Sequence, residues 1–248
     1  MARALVVTGG SRGIGAACAR VAAQAGWSVC LSYRSAGAAA EAVVADIQRA
    51  GGQAKAVASD VASERDVVEL FDLAEEAFGP VAGLINNAGI LAPATRLRDI
   101  GLDRWQATMA TNLTGTFLCA REAVRRMAVS AGGTGGAIVN VSSMAAVLGA
   151  PGEFIDYAAS KGAVDALTIG LAKEVAADGI RVNGVRPGLI DTDIHASGGD
   201  PLRAERLAPS VPMQRTGSAD EVANAIMWLL SAEASYCTGI TINISGGR

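Results

Sequence analysis

Ala4-Leu5-Val6-Val7-Thr8 followed by Gly9-Gly10-Ser11-Arg12-Gly13-Ile14-Gly15 is the stretch that decides the fold. Its first five residues form a short apolar run typical of a buried strand, and the Ala-rich residues 16–25 after it predict a helix. Glycines at 9, 13 and 15 let the intervening turn bend sharply and let the backbone approach a ligand. Free N–H groups and positive dipole at the helix start would favour a pyrophosphate. We therefore predict a nucleotide-binding turn rather than an ordinary glycine-rich one.

Strands and helices alternate along the rest of the chain. Further strands are predicted at residues 28–33, 53–59, 83–89 (running into a small-residue turn), 137–141, 179–185 and 240–244. Helices are predicted at about 37–50, after a Ser63 cap, and at 105–128, 156–177 and 220–230. No linker or repeat divides the chain. The alternation predicts an α/β fold, a single domain over residues 1–248 with one doubly wound parallel sheet of about seven strands and helices on both faces.

Composition narrows the classes of partner. Half of the 248 residues are apolar, 18% are charged and 4% are aromatic, with a formal net charge of −3. With no basic tract and few aromatic residues, nucleic acids and anionic membranes are poor candidate partners. The four cysteines have neither a CxxC pair nor metal-ligand spacing, so we expect no metal site and free thiols. With no signal peptide after Met1-Ala2-Arg3 and no run long enough to span a membrane, the sequence predicts a soluble cytoplasmic protein.

Two arginines favour one cofactor over another. Arg34 ends the second predicted strand, where an acidic residue would hold a ribose 2′-hydroxyl and an arginine suits a 2′-phosphate. Arg12 adds a second cation from the glycine-rich turn. Both could instead be solvated surface charges. Together they favour NADP(H), with NAD(H) still possible; Asp60, after the third strand, is either a turn residue or an acceptor for the adenine amine.

Tyr157 and Lys161 are the candidate acid–base pair. They lie four residues apart in a predicted helix and therefore on one face of it. An ammonium beside a phenol favours the phenolate, so we expect Lys161 to lower the pKa of Tyr157 from about 10 and make it a usable proton donor and acceptor. Ser143 follows a buried strand that would end at the same crevice. A lone YxxxK pair is common on solvated faces, so the prediction depends on the rest of the chain.

Other polar residues extend the candidate site. Asn112 lies among apolar neighbours in a predicted helix, as either a structural polar contact or part of a proton path. Pro187 and Gly188 mark the end of the sixth strand, and Thr192 is placed to bond a nicotinamide amide. Residues 193–216 are long and irregular enough for a lid or binding loop. The only histidine, His195, lies there and is left out of the chemistry.

These motifs together resemble the short-chain dehydrogenase/reductase family over essentially the whole chain. The matches are TGxxxGxG at residues 8–15, Asp60-Val61, NNAG at 86–89, PGxxxT at 187–192, and the set Asn112, Ser143, Tyr157 and Lys161. The resemblance implies a Rossmann-like fold with strand order 3-2-1-4-5-6-7. The cofactor-binding residues it implies are Gly9, Ser11, Arg12, Gly13, Ile14, Gly15, Arg34, Asp60, Val61, Asn87, Ala88, Gly89, Tyr157, Lys161, Pro187, Gly188, Ile190 and Thr192.

The same resemblance implies the catalytic roles. Tyr157 would protonate the substrate oxygen as hydride leaves C4 of the nicotinamide, or remove the proton in the oxidation direction, while Ser143 polarises the carbonyl. Lys161 would depress the Tyr157 pKa and hold the ribose hydroxyls, and Asn112 would position a water that links Lys161 to solvent. A homotetramer is expected, through the helices at 105–128 and 156–177 and the last strand.

One departure concerns spacing. Many relatives place the serine thirteen residues before the tyrosine, whereas Ser143 is fourteen and Ser142 fifteen residues before Tyr157. We interpret this as a one-residue insertion within residues 150–154, on the substrate side.

The sequence is compatible with more than one class of substrate. The nearest-looking subgroups are 3-oxoacyl-[carrier protein] reductases and glucose-1-dehydrogenase-like reductases. Residues 132–136 and Asp178 stand where the former usually carry basic residues, although Arg125 and Arg126 are not far away. The sequence favours an NADP-preferring oxidoreductase that interconverts a small-molecule carbonyl and a secondary alcohol. The alternative from another class is a non-catalytic NADP(H) sensor or scaffold on the same fold.

Overall fold

Seven parallel strands form one sheet in the computed structural model, which describes residues 3–248 apart from the side chain of His195. Met1 and Ala2, which are predicted to lead directly into the first strand, lie outside the described residues. The strands are β1 (Arg3–Val7), β2 (Trp27–Tyr33), β3 (Gln53–Ala58), β4 (Val81–Asn86), β5 (Gly136–Val141), β6 (Ile180–Pro187) and β7 (Thr241–Ile244). Their order is β3-β2-β1-β4-β5-β6-β7, every neighbouring pair being parallel. The predicted doubly wound sheet is confirmed.

Helices cover both faces of the sheet. In the described part of the chain they are α1 (Gly13–Gln24), α2 (Gly37–Arg49), α3 (Glu64–Phe78), α4 (Leu102–Met109), α5 (Gly115–Met127), α6 (Ala145–Leu148), α7 (Ile155–Val175), α8 (Ile194–Ser197), α9 (Arg203–Leu207) and α10 (Ala219–Leu230). The Ser63 hydroxyl caps α3 by accepting from the Asp66 N–H, as predicted.

The helical region expected at 105–128 is confirmed, with α4 and α5 joined by a π-helical turn at Ala110–Thr114 that the sequence did not predict. The stretch at 193–216, expected to be irregular, contains the short helices α8 and α9.

The core has one layer on each side of the sheet. Leu5 and Val7 of β1 pack with α1, α2 and α10, while Ala4 and Val6 pack with α3, α5 and α7. This alternation follows from the two-residue period of a strand. Cys18, Cys30 and Cys119 belong to these two layers, and burial raises the pKa of their thiols to about 12.

The sheet brings the motifs to one edge. The glycine-rich turn follows β1, Asp60 follows β3, the 87–89 turn follows β4 and Ser143 follows β5. Because all strands are parallel, these carboxyl ends share an edge, and the strand order reverses between β1 and β4, where ligands bind in such sheets. Within residues 3–248, none of the helices has the length and apolar character needed to cross a bilayer.

Candidate active site

Thr8 and Asn87 fasten the glycine-rich turn to the segment after β4. The Thr8 hydroxyl accepts from the backbone N–H groups of Asn87 and Ala88, both at 3.0 Å. The Asn87 amide donates to the carbonyls of Thr8 and Gly9, again at 3.0 Å. Gly9 and Gly13 have φ of +63° and +53°, the left-handed region that favours glycine. The turn is therefore held in a shape that other residue types would strain.

Gly15 lies behind this turn. A Cβ at Gly15 would stand 2.2 Å from the Gly9 carbonyl oxygen and 2.5 Å from Asn87 Nδ2. The residue therefore allows α1 to pack closely against the turn. Unlike the other predicted glycines, it does not line the neighbouring cavity in the described structure.

A cavity of about 370 Å³ opens at the carboxyl ends of β1 to β4. At its edge α1 begins with no side-chain cap and no acidic residue in its first turn, so its N–H groups and positive dipole are available to an anion. These features fit the pyrophosphate of a dinucleotide. The predicted cofactor residues that line the cavity are Gly9, Ser11, Arg12, Gly13, Ile14, Arg34, Asp60, Val61, Asn87, Ala88, Gly89 and Thr192.

The charged residues that line this cavity differ in whether they have a bonding partner. Arg12 and Arg34 are exposed at its surface, and within the described residues neither forms an ion pair. The Asp60 carboxylate accepts from the Ala62 N–H at 3.0 Å, so it serves as a turn residue while also lining the cavity. Two cations are thus free to meet an anionic group at the carboxyl end of β2.

Ser143 and Tyr157 lie where two smaller cavities adjoin. Both line a cavity of about 100 Å³ on the cofactor side and one of about 210 Å³ beyond it. The smaller cavity is also lined by Lys161, Pro187, Gly188, Ile190 and Thr192, so the remaining predicted cofactor residues gather there. The Ser142 hydroxyl is occupied elsewhere, since it donates to the Lys161 carbonyl at 3.1 Å. Of the two serines, the geometry therefore selects Ser143.

The predicted effect of Lys161 on Tyr157 is corrected by the structure. Burial raises the pKa of Tyr157, and a hydrogen bond with Ser143 lowers it in opposition. Lys161 Nζ lies 5.7 Å from the centroid of the Tyr157 ring and donates instead to the Val141 carbonyl at 2.7 Å. The net direction is upward because loss of water around the phenol outweighs the hydrogen bond.

Lys161 is itself buried, and burial lowers its pKa to about 8. Its position is fixed from two sides, by the Val141 carbonyl at Nζ and by its own helix α7. A Cβ added at Gly89 would lie 3.6 Å from Lys161 Nζ and 3.4 Å from Asn112 Oδ1. The lysine and the asparagine thus flank the same backbone turn after β4.

Asn112 occupies the π-helical turn and is fully buried. Its Oδ1 accepts from the Ile90 N–H at 2.8 Å, while Nδ2 donates to the Ile90 carbonyl at 3.1 Å and to Ser160 Oγ at 3.2 Å. The side chain therefore joins the segment after β4 to α7 next to Tyr157. Asn112 is therefore a structural polar contact, the first of the two predicted alternatives. Its role in a proton path stays a prediction.

The cavity of 210 Å³ is bounded by the segment that carries the inferred insertion. Residues 150–154 contribute Ala150, Pro151, Glu153 and Phe154, and the other apolar side chains are Leu91, Met144, Leu148, Leu189 and Ile194. The Glu153 carboxylate pairs with Arg203 of α9, whose guanidinium lies over the Phe154 ring at 5.3 Å. The insertion and the 193–216 segment are therefore joined at the cavity wall.

Sequence reasoning missed two groups at this site. Arg203 lies in a segment recognised only as a loop, and nothing in the sequence indicated its pairing with Glu153. Asp156, directly before Tyr157, is buried. Its carboxylate accepts hydrogen bonds from Arg104 Nε at 2.7 Å and from Arg104 Nη2 at 3.1 Å. The adjacency of Asp156 to Tyr157 was visible, but its partner lies 52 residues away.

Known proteins resemble the chain over nearly its full length. A family profile described as enoyl-(acyl carrier protein) reductase matches residues 9–248. An uncharacterized oxidoreductase of Escherichia coli K12, YgfF, is 54% identical over 98% of each chain. A 3-oxoacyl-[acyl-carrier-protein] reductase of Synechocystis is 39% identical over 99% of this chain and 96% of its own.

A solved structure agrees in fold. The blue fluorescent protein from a metagenomic library, crystallised in complex with NADPH, superposes with a TM-score of 0.89 at 33% identity, covering 99% of this chain and 97% of that one. Together with the parallel sheet and the ordered motifs along its edge, these matches place the chain in the short-chain dehydrogenase/reductase family of oxidoreductases.

Proposed function

We propose that the chain is an NADP-preferring oxidoreductase that interconverts a carbonyl and a secondary alcohol, with Tyr157 as general acid and base. The observation that supports this most directly is the position of Ser143 and Tyr157. Both residues line the cofactor-side cavity and the apolar cavity, so they stand at the boundary between the two. A carbonyl oxygen entering from the apolar side would meet both hydroxyls.

The residues divide the chemistry as follows. When bound, a nicotinamide cofactor supplies the hydride for reduction or accepts it in oxidation. Ser143 donates a hydrogen bond that polarises the substrate carbonyl, and the Tyr157 hydroxyl gives its proton to the same oxygen. In oxidation the Tyr157 phenolate removes that proton from the alcohol. Such acid–base assistance contributes about 10²–10⁴-fold in rate.

Lys161 and Asn112 act on the cofactor side. The Lys161 ammonium would bind the ribose hydroxyls. Asn112 holds the π-helical turn against Ile90 and Ser160 and positions a water between Lys161 and solvent. The other predicted cofactor residues, apart from Gly15 behind the turn, would bind the dinucleotide along the carboxyl edge of the sheet.

The preference for NADP follows from Arg12 and Arg34. Both lie at the large cavity without an anionic partner among the described residues, and the segment Tyr33-Arg34-Ser35 offers no carboxylate for a ribose 2′-hydroxyl. A 2′-phosphate would meet both guanidinium groups. The NADPH complex of the similar blue fluorescent protein supports the same choice.

The apolar wall of the second cavity supports a carbonyl compound with an apolar body over a sugar. Sugar hydroxyl groups that face Met144, Leu148 and Phe154 would be left unpaired, and two of the charged residues in the lining, Glu153 and Arg203, already pair with each other. The 3-oxoacyl-[carrier protein] alternative is favoured by the name of the Synechocystis relative. It is disfavoured by Arg126, which is engaged with Asp72, Glu75 and Glu122 and is not free to meet an acidic carrier. Membership in a family of oxidoreductases favours an enzyme over the sensor alternative.

We also propose a homotetramer in the cytoplasm. Large apolar side chains are exposed on the helices that would form the interfaces, among them Trp105, Phe117 and Ile169. A second exposed group, Trp228, Tyr236 and Ile240, lies near the last strand. Burial of both groups in contacts between copies would remove this apolar surface from water.

The direct test measures NADPH oxidation against a carbonyl panel at neutral pH. The panel holds a diketone, an aromatic aldehyde, a sugar lactone and a 3-oxoacyl thioester, each also with NADH. We expect turnover of an apolar carbonyl, faster with NADPH than with NADH. Tyr157→Phe should lose about 10²–10⁴-fold while still binding NADPH. Unchanged turnover in Tyr157→Phe would contradict the mechanism, and exclusive turnover of the thioester would favour the carrier-linked alternative.

A further inference from the structure

Asp165 is a buried carboxylate one helical turn beyond Lys161. Residues four apart on a helix share a face, so Tyr157, Lys161 and Asp165 follow one another along α7. Asp165 is 9% exposed. Its Oδ2 accepts from Arg186 Nε of β6 at 2.8 Å, while its buried Oδ1 has no hydrogen-bond partner within the described structure.

An orphaned carboxylate oxygen is costly in a protein interior. A buried acceptor without a partner loses its hydration and gains no replacement bond. Arg186 compensates for part of the charge, and its other branch reaches Asn243 at 3.3 Å. The ion pair with Arg186 accounts for one oxygen of the Asp165 carboxylate and leaves Oδ1 without a partner in the described structure.

Lys161 is the group that this charge acts upon. An ammonium has three donors, and the Val141 carbonyl occupies one of them. Burial favours the neutral amine and is the main reason why the pKa of Lys161 falls to about 8, while the charge of Asp165 acts in the opposite direction. A pKa near 8 leaves the lysine protonated at neutral pH by a narrow margin, so loss of the opposing charge would matter.

We propose that Asp165 is a positioning residue for the active-site lysine. The buried charge of the Asp165 carboxylate keeps Lys161 protonated and thereby sets the pH range in which the cofactor is held. The inference rests on the proposed role of Lys161 in binding the ribose. The titratable and charged groups that face the pair among the described residues are Tyr157 on α7 and Arg186 on β6. Strand β5 presents the Val141 carbonyl, and the π-helical turn presents the Asn112 amide.

The sign of the pH dependence follows from linkage. A ribose that accepts hydrogen bonds from the ammonium raises the pKa of Lys161 in the complex, so affinity is full below the pKa of the free protein and falls as pH rises through it. Replacing the carboxylate by an amide removes the charge that opposes burial. The Asp165→Asn variant should therefore lose affinity at lower pH than the parent protein.

The test is NADPH binding, followed by cofactor fluorescence from pH 6 to pH 10, and needs no substrate. In Asp165→Asn the amide oxygen can still accept from Arg186, and we expect the midpoint of affinity loss to move down by about one pH unit, on the scale of a nearby opposite charge. Glu174→Gln removes an exposed charge from the same helix and should leave the midpoint in place. Lys161→Met should remove this transition altogether.

Arg186→Gln separates charge from structure. It breaks the same ion pair but leaves the Asp165 charge, now uncompensated, so the midpoint should stay or rise. A downward shift in both Asp165→Asn and Arg186→Gln would assign the effect to structural damage and overturn the inference. An unshifted midpoint in Asp165→Asn, with the transition abolished in Lys161→Met, would overturn it while sparing the proposed function. Persistence of the transition in Lys161→Met would overturn both.

Discussion

Two neighbouring serines have different contacts because their side chains point into different surroundings. Ser143 bonds Tyr157 and lowers its pKa, whereas Ser142 donates to the backbone of Lys161. The Tyr157 phenol is otherwise governed by burial, which raises its pKa. At the scale of the residue, the Ser143 hydroxyl is thus the contact that opposes the rise that burial causes in the Tyr157 pKa.

Ser143→Ala should therefore shift the activity profile towards alkaline pH. Without the hydrogen bond the pKa of Tyr157 rises further, so the phenolate needed for alcohol oxidation forms only at higher pH. We also expect a loss of about 10²–10³-fold in turnover, as for removal of a donor to the reacting oxygen. The measurement is the rate of alcohol oxidation from pH 6 to pH 11.

Ser142→Ala is the matched control for that experiment. It removes a hydroxyl one residue away that does not bond Tyr157, so the pH profile should keep its midpoint. An equal alkaline shift in both variants would show that the strand end, rather than the Ser143 hydroxyl, controls the tyrosine.

At the scale of the element, the junction of β1, the glycine-rich turn and α1 depends on close backbone approach. Gly15 lets the helix start come against the Gly9 carbonyl, and Asn87 joins the turn to the segment after β4. The helix dipole and free N–H groups are useful to a pyrophosphate only if the helix keeps this position. Stability and cofactor affinity are therefore coupled at Gly15.

Gly15→Ala should weaken both properties. The new Cβ would overlap the Gly9 carbonyl and Asn87 Nδ2, and such overpacking costs about 1–3 kcal/mol. Urea unfolding at fixed protein concentration measures the stability, and NADPH titration measures the affinity.

Gly162→Ala on α7 provides the comparison for Gly15→Ala. A Cβ there meets nothing within 4 Å, and alanine is favoured over glycine in a helix by about 1 kcal/mol. We expect this variant to be as stable as the parent protein or more so. Equal stability of the two alanine variants would show that the close approach at Gly15 does not constrain the turn.

At the scale of the whole molecule, the sheet separates two core layers and leaves apolar side chains on outer helices. Phe117 on α5 is 43% exposed and Ile169 on α7 is 44% exposed. Isolated exposed apolar residues are ordinary, but large ones on adjacent helices are typical of an interface. The proposed tetramer would bury them.

Phe117→Glu should dissociate the assembly at one interface. A charge placed in an apolar contact between copies is desolvated without a partner, so a smaller species should form. Light scattering after gel filtration would detect a change from four times the chain mass. Leu202→Glu, on the segment before α9 and also highly exposed, should not alter it; a parent protein that is itself monomeric would contradict the proposal.

The amino-acid sequence by itself predicted the parallel sheet and most of the residues along its carboxyl edge. The order of the strands was predicted from the resemblance to a known family. Strand and helix periods depend on near neighbours in the chain, and parallel strands must bring their carboxyl ends to one side. The glycine-rich turn, the Tyr157–Lys161 spacing and Arg34 at the end of β2 were therefore readable before any contact was known.

Only the tertiary structure decided the environment of those residues. Three features depend on segments that are distant in sequence: the rise in the Tyr157 pKa, the π-helical turn at Asn112, and the pairing of Asp165 with Arg186. Desolvation and ion pairing are set by what packs against a group, and no local pattern encodes that. The candidate site residues could be predicted from the sequence, and their burial and ion pairing only from the tertiary structure.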